Sequence, residues 1–177
     1  MIASMNTNDG VAAVARVVMK LGDDVSTDAI YPGRFMATVL PGETPQHAFA
    51  DYADFNARLR NKEIPPGSVI CAGSNFGCGS SREQAASALK GYDLVIIAAG
   101  YGRIFLQNAV NLGLRTLVCP ELEAEEGDEL EITADRVLNC RTRKLCPIQP
   151  LSAARRSIID SGGLISYTRE RLLQKKS

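Results

Sequence analysis

Ten residues, Gly73 to Arg82 (Gly-Ser-Asn-Phe-Gly-Cys-Gly-Ser-Ser-Arg), hold the groups with which this chain could do chemistry. Two hydroxyls, Ser80 and Ser81, stand beside a guanidinium, Arg82, and Glu83 closes the run. Arginine presents a fixed planar fork of donors that suits a carboxylate or a phosphate. The interspersed glycines let the backbone turn sharply and let a ligand approach it closely. An apolar run, Val69–Ala72, leads in and reads as a buried strand; Glu83–Lys90 leads away and is rich in helix formers. The spacing lets either serine cap that helix, since Ser80 with Glu83 and Ser81 with Gln84 both complete a capping box. A helix N-terminus offers free N–H groups and the positive end of the dipole, so anions collect there. The residues thus describe an anion site with two hydroxyls beside it, although spacing alone fits a plain tight turn equally well. The dinucleotide fingerprint is excluded because the glycines do not fall as G-x-G-x-x-G. A P-loop is excluded because its terminal Lys is absent.

The flanking chain indicates what must position these groups. Val11–Leu21 reads as a first strand, ended by Gly22-Asp23-Asp24, and residues 26–33 read as a polar loop closed by Pro32-Gly33. Thr44-Pro45 opens a helix whose apolar face is Ala48, Phe49, Tyr52, Phe55 and Leu59, with His47 solvated or capping near its start. After the Arg82 helix, Leu94–Ala99 suits a strand covered on both faces. Gly100 and Gly102 form a second strand-to-helix turn, Arg103–Leu112 a helix with Gly113 past its end, and Thr116–Cys119 the next strand. Strand, helix, strand, helix, strand in this order indicates parallel βαβ units with right-handed crossovers. Ligands of such sheets bind at the carboxyl ends of the strands, where both glycine turns fall. Leu130–Ile132 and Val137-Leu138 read as a hairpin, Pro150 begins a last helix that Gly162-Gly163 ends, and the basic tail after Tyr167 reads as solvated surface.

Composition narrows the functional classes. The chain has 177 residues with 20 basic and 20 acidic side chains, for a net charge of zero. That length fits one α/β domain over residues 11–177 behind a loose leader at 1–10. Balanced charge gives no basic footprint for nucleic acid. No apolar run approaches a membrane span, and no signal-peptide pattern opens the chain. Five cysteines (Cys71, Cys78, Cys119, Cys140, Cys146) and one histidine, without any C-x-x-C pair, suggest reduced thiols in a cytoplasmic setting and no metal held by this chain alone.

The Gly73–Glu83 stretch resembles the signature of the small subunit of 3-isopropylmalate dehydratase and its relatives in the aconitase superfamily. Asp24–Met36 and Arg103–Leu114 are similar to two further segments of that family, in the same order and spacing, so the resemblance covers roughly residues 15 to 165. It implies an aconitase-type swivelling domain, α/β, with parallel βαβ units and additional β-structure. It also implies half of a hydro-lyase that moves a hydroxyl between adjacent carbons of a malate-like diacid in leucine biosynthesis, working with a large subunit that carries a [4Fe–4S] cluster. Carried over residue by residue, Ser80 is the proton-abstracting base, Arg82 the carboxylate clamp with Ser81 beside it, and Asp28 an active-site acid. A serine serves as base only where its anion is stabilised in a water-poor site. Arg103, Asn108 and Asn111 are left outside the catalytic set.

Substrate choice is read from Phe35, Met36, Ala37 and Thr38. Relatives that take a distal third carboxylate resemble Tyr-Leu-Arg-Thr here, whereas this chain has Ala37 at the arginine position between apolar neighbours. A buried carboxylate without a cation is strongly disfavoured. An alkyl group gains about 0.8 kcal/mol per buried methylene. Isopropylmalate is therefore expected over homoaconitate, provided Arg34 does not swing inward. The alternatives are a relative acting on homoaconitate, citramalate or dimethylmalate, and an anion-binding module without catalysis.

Overall fold

The computed structural model describes residues 13–174, so the leader and the first two residues of the expected first strand lie outside it. The strands are β1 (Ala13–Lys20), β2 (Val69–Ala72), β3 (Val95–Ala98), β4 (Arg115–Val118), β5 (Glu129–Ile132), β6 (Arg136–Asn139) and β7 (Leu145–Pro147). The helices are α1 (Thr27–Ile30), α2 (Ala53–Arg60), α3 (Glu83–Gly91), α4 (Arg103–Leu112), α5 (Ala153–Asp160) and α6 (Leu164–Gln174). All seven strands join one sheet in the order β4-β3-β2-β1-β5-β6-β7. From β4 to β1 the pairing is parallel, and from β1 through β5 and β6 to β7 it is antiparallel. The α/β class, the parallel units and the added β-structure are all present.

Strands without polar alternation are the reason for two cores. On one face of β2 and β3, Ile70, Ile96 and Ala98 pack under α3 and α4 with Leu89 and Phe105. On the other face Val69, Cys71, Val95 and Ile97 pack against Leu130, Ile132, Val137 and Cys146 of the antiparallel strands. The sheet curls enough for its edges to meet, since the Gln149 N–H donates to Val118 O at 2.8 Å and the Cys119 thiol to Pro147 O at 3.3 Å. Helix α3 approaches its neighbours closely because its buried face is Ala85, Ala86, Ala88 and Leu89.

Four elements differ from the sequence expectation. The helix expected from Thr44 is a 3₁₀ turn, Thr44–His47, followed after a break by α2. Phe49 interrupts it at φ 52° while its N–H donates to Ile30 O at 2.7 Å, and the Asn56 amide takes the carbonyl of Ala48 at 2.8 Å. Of the expected apolar face Ala48, Phe49, Phe55 and Leu59 are buried, with Phe49 and Phe55 edge-to-face at 5.6 Å, whereas Tyr52 is exposed. The polar loop at 26–28 contains a helical turn, α1, capped by Ser26, whose hydroxyl accepts from the Ala29 N–H at 3.1 Å. Strand β7 was not legible in three residues, and the solvated tail after Tyr167 continues an exposed helix, α6.

The antiparallel half is tied to β1 at Asp128, which is 5% exposed. Its carboxylate accepts from Asn139 Nδ2 at 2.8 Å, from the Glu125 N–H at 2.9 Å and from Arg141 Nε and Nη2 at 2.5 and 2.9 Å. Those bonds, the Arg141 pair first, hold its pKa far below the ordinary carboxylate range. Such a group adds stability above its unfolded value near 4 and loses it as pH falls through the folded value. Asp128→Asn should cost about 2 kcal/mol at neutral pH, with Arg141 half exposed and its share screened by solvent. Urea midpoints should then fall less between about pH 5 and pH 2 in the variant than in the wild type; equal falls would show that Asp128 does not carry the acid sensitivity.

Candidate active site

The Gly73–Arg82 loop leaves β2 at the carboxyl edge of the parallel strands and runs between the loops that leave β1 and β3. Backbone pairing continues across all three. The Asp24 N–H donates to Ser74 O at 2.9 Å, Gly77 N–H to Val25 O at 2.7 Å, and Thr27 N–H to Cys78 O at 2.8 Å. On the other side the Phe76 N–H reaches Gly100 O at 2.9 Å and the Gly102 N–H reaches Phe76 O at 2.8 Å. Two aspartates that the sequence suggested only as a strand end add to this. Asp23 accepts from the Ser74 N–H at 2.6 Å and Asp24 from the Asn75 side chain at 2.7 Å. Gly77 is required twice over, because its φ is 77° and a β-carbon there would fall 2.2 Å from the Phe105 ring.

The loop delivers Ser80, Arg82 and Asp28 to one place. Arg82 occupies the position just before the first turn of α3, and no side chain caps that helix. The expected capping by Ser80 or Ser81 is therefore not made. Gly79, at φ 92°, turns Ser80 toward α1 instead. There the Thr27 hydroxyl lies 3.2 Å from Ser80 Oγ and donates to Ser80 O at 3.2 Å. Thr27 is 1% exposed, whereas Ser80 and Ser81 are both exposed. Arg82 Nη1 donates to Asp28 and, at 3.3 Å, to Tyr31 O. The Arg82 side chain is 17% exposed against 61% for Asp28, so the cation is the sheltered partner. The hydrogen bond from Arg82 holds the Asp28 carboxyl below its usual value.

Asp28 also connects this pair to the loop that begins at Gly33, whose N–H donates to its carboxylate at 3.3 Å. Arg82 Nη2 lies 3.1 Å from where a β-carbon on Gly33 would sit, so a side chain there would press on the guanidinium. Beyond it Phe35 is half-buried, Met36 and Ala37 are exposed, and Thr38 is half-buried with its N–H on Phe35 O at 2.9 Å. His47 is neither solvated nor capping: its ring stacks on Phe35 at 4.0 Å and meets Tyr31 edge-on at 5.9 Å. Burial and the charges of Arg60 and Arg34 lower its pKa. Arg34 lies over the Phe35 ring at 4.6 Å and pairs with Asp51 at 2.5 Å. Thus Phe35 packs the loop between Arg34 and His47, while Met36 and Ala37 face outward.

Comparison with known proteins shows the family. A family model described as the aconitase C-terminal domain matches residues 42–122. A 3-isopropylmalate dehydratase small subunit from Methanosarcina mazei is 42% identical over 156 residues, 85% of this chain and 93% of that protein. The chain belongs to the 3-isopropylmalate dehydratase small-subunit family. A crystal structure of a 3-isopropylmalate dehydratase from Methanocaldococcus jannaschii aligns with a TM-score of 0.82 at 37% identity, covering 94% of this chain and 99% of that one. A methanogen homoaconitase small subunit from the same organism is 40% identical over 161 residues, 89% of this chain and 92% of its own. The expected aconitase-type small-subunit fold is therefore the one observed.

Among the described residues no three His, Cys, Asp or Glu side chains converge as metal ligands. Cys71, Cys119 and Cys146 are buried in the second core. Burial, first of all, pushes the Cys71 thiol up to about 12 and the Cys119 thiol up to about 11. These thiols pack within that core. Of the residues left outside the catalytic set, Asn108 reaches the Ser81 carbonyl at 3.5 Å, and Arg103 is exposed at the start of α4.

Thr27, the two aspartates and His47 carried no functional signal in the sequence beyond their place in the 23–47 segment, because their partners are more than ten residues away in the chain. Removing the Asp28 charge tests the central pair. Asp28→Asn should speed hydrogen exchange at the Arg82 guanidinium. Acidification below the ordinary carboxylate range, about pH 4, should likewise lower the protection factor of the guanidinium in the wild type, because protonation of Asp28 removes the partner of Arg82. Unchanged guanidinium exchange in both experiments would mean that Asp28 does not hold Arg82.

Proposed function

We propose that this chain is the small subunit of a cytoplasmic hydro-lyase that interconverts 2- and 3-isopropylmalate and is active only with a large subunit. The observation that carries the reading is the placement of Ser80 and Arg82 at one exposed edge, with Arg82 already oriented by Asp28 and Ser80 not engaged in capping. Arg82 at the uncapped start of α3 binds one carboxylate of the diacid, and Ser81 adds a second donor. Ser80, as its alkoxide, takes the proton from the carbon next to the hydroxyl-bearing carbon and becomes a neutral hydroxyl. The C–H electron pair becomes the double bond as hydroxide leaves, and water then adds back with the hydroxyl on the neighbouring carbon.

Thr27 positions the base. Its hydroxyl donates to Ser80 O while Ser80 is neutral and can turn to Ser80 Oγ, 3.2 Å away, to hold the alkoxide that takes the proton. Arg82 supplies the remaining stabilisation of the oxyanion. Ser80 is exposed on this subunit, so the water-poor environment that a serine base needs must come from a second surface. The cysteines of this chain do not fit a [4Fe–4S] cluster, and the proposal assigns the cluster to the large subunit, as the small-subunit names of the relatives support.

The homoaconitase small subunit among the relatives makes tricarboxylate specificity the rival reading. The loop argues against it. Arg34 is directed to Asp51, Ala37 brings no cation, and Met36 with Ala37 offers an apolar surface to an alkyl group. Co-expression with the cognate large subunit and anaerobic assay should show higher kcat/KM for isopropylmalate than for homoaconitate, and Ala37→Arg should narrow or reverse the ratio. A wild-type preference for the tricarboxylate would sink the reading of this loop. Ser80→Ala should lower kcat by roughly 10²- to 10⁴-fold with the complex intact, and near-normal turnover would remove Ser80 from the role of base. Thr27→Val should lower kcat with little change in KM, whereas a change in KM alone would reduce Thr27 to packing.

A further inference from the structure

The loop that borders Arg82 carries one cation of its own, and the fold turns that cation away. Among residues 33–42 Arg34 is the only basic side chain. A β-carbon on Gly33 would stand 3.1 Å from Arg82 Nη2 and 3.4 Å from Asp28 Oδ1, so the loop begins against the Arg82–Asp28 pair. Arg34 follows at the next Cα, about 3.8 Å along the chain, a step shorter than an arginine side chain. Its guanidinium nevertheless lies over the Phe35 ring at 4.6 Å and ends on Asp51 Oδ1 at 2.5 Å. That hydrogen bond holds the Asp51 carboxyl below its usual range, so Asp51 is charged at neutral pH. Other contacts fix the loop itself. The buried Tyr31 hydroxyl donates to Phe35 O at 3.1 Å, the Thr38 N–H reaches the same carbonyl at 2.9 Å, and His47 stacks on the Phe35 ring at 4.0 Å. Arg34 and Asp51 are both half-exposed, so losing Asp51 frees the Arg34 side chain and leaves the loop in place.

We infer that Asp51 is a positioning residue for substrate choice: by holding Arg34 to itself, it denies a guanidinium to any substrate with a third, distal carboxylate. The inference rests on the proposed reading of Ser80 and Arg82 as the site of a malate-type diacid. A distal carboxylate covered by the second subunit without a cation is strongly disfavoured, whereas an alkyl group needs no partner there. The Arg34–Asp51 pair lies at the surface, where water screens it, so its hold on Arg34 is modest. A modest hold suffices, because the contact it competes with is of the same kind, one guanidinium on one carboxylate. Asp51 acts through Arg34 and touches no substrate atom.

The test uses the complex with the cognate large subunit and reads homoaconitate as a competitive inhibitor of isopropylmalate turnover. Asp51→Asn should lower the Ki of homoaconitate about fivefold, while kcat and KM for isopropylmalate stay within about twofold of the wild type. Asp51→Glu, which keeps the carboxylate, should leave Ki near the wild-type value. Asp51→Asn combined with Arg34→Gln should return Ki to that value, because no guanidinium is left to release. A gain that persisted in the double variant would mean that the Asp51 charge repels the tricarboxylate directly, and would overturn the role given to Arg34. Weaker binding of both acids in Asp51→Asn would reduce Asp51 to a support of the loop. An unchanged Ki in Asp51→Asn, with normal isopropylmalate turnover, would sink the inference and leave the proposed function standing. A wild-type complex without isopropylmalate turnover would remove both.

Discussion

The structure depends most on backbone pairing that does not stop where the parallel strands stop. Beyond β1, β2 and β3 the three departing loops stay in register, with isolated parallel bridges at Ser26–Cys78 and Phe76–Tyr101. A loop with several glycines has much conformational entropy to lose, and nothing in its own sequence fixes its path. Here the neighbouring loops fix it on both sides, and the side chains of Asp23 and Asp24 take further donors from Ser74 and Asn75. The result is a rigid platform made of residues that, alone, would form a flexible turn. Ser80 and Arg82 inherit that rigidity because they are only a few residues past Phe76 and Gly77.

Electrostatics then sets what the platform presents. A guanidinium with no counter-charge at a helix N-terminus would be repelled by the positive end of the dipole. Asp28 offsets this from the adjacent α1, and it does so asymmetrically, with the acid in solvent and the cation sheltered. Water screens the pair strongly on the acid side, so the pair orients Arg82 more than it stabilises the fold. On the proposed reading, an incoming carboxylate takes over the role of Asp28 at modest cost. A deeply buried pair would have held the arginine too tightly for exchange.

Much of this was legible from the residues. Continuous apolar runs marked β2 and β3, the glycine after Leu112 marked the end of α4, and the strand–helix alternation gave the parallel units with their carboxyl edge. The composition of residues 73–83 marked the candidate site. What remained hidden was long-range. The break at Phe49 depends on Ile30 and Asn56, the curl that joins β7 to β4 depends on residues 118 and 149, and Ser80 chooses between the nearby helix end and Thr27, 53 residues away in the chain. Local pattern offered the capping box; the buried hydroxyl of Thr27 provided the competing contact, and the turn at Gly79 directed Ser80 toward it.

The same contacts explain why chemistry should need a second subunit. The interior of the chain is filled twice over, by one core under the helices and another inside the curled sheet, and the polar groups of the site lie outside both. Ser80, Ser81, Met36 and Ala37 are all exposed along this edge. An alkoxide is not stabilised sufficiently there by Thr27 and Arg82 while bulk water competes for both. Nor do Met36 and Ala37 select an alkyl group while one side of it remains in solvent, because the gain scales with area removed from water. Covering the edge would strengthen the base and sharpen substrate choice together. On the proposed reading, an open face that presents Ser80, Arg82 and the apolar lip of Met36 and Ala37 is what one half of a shared active site should look like.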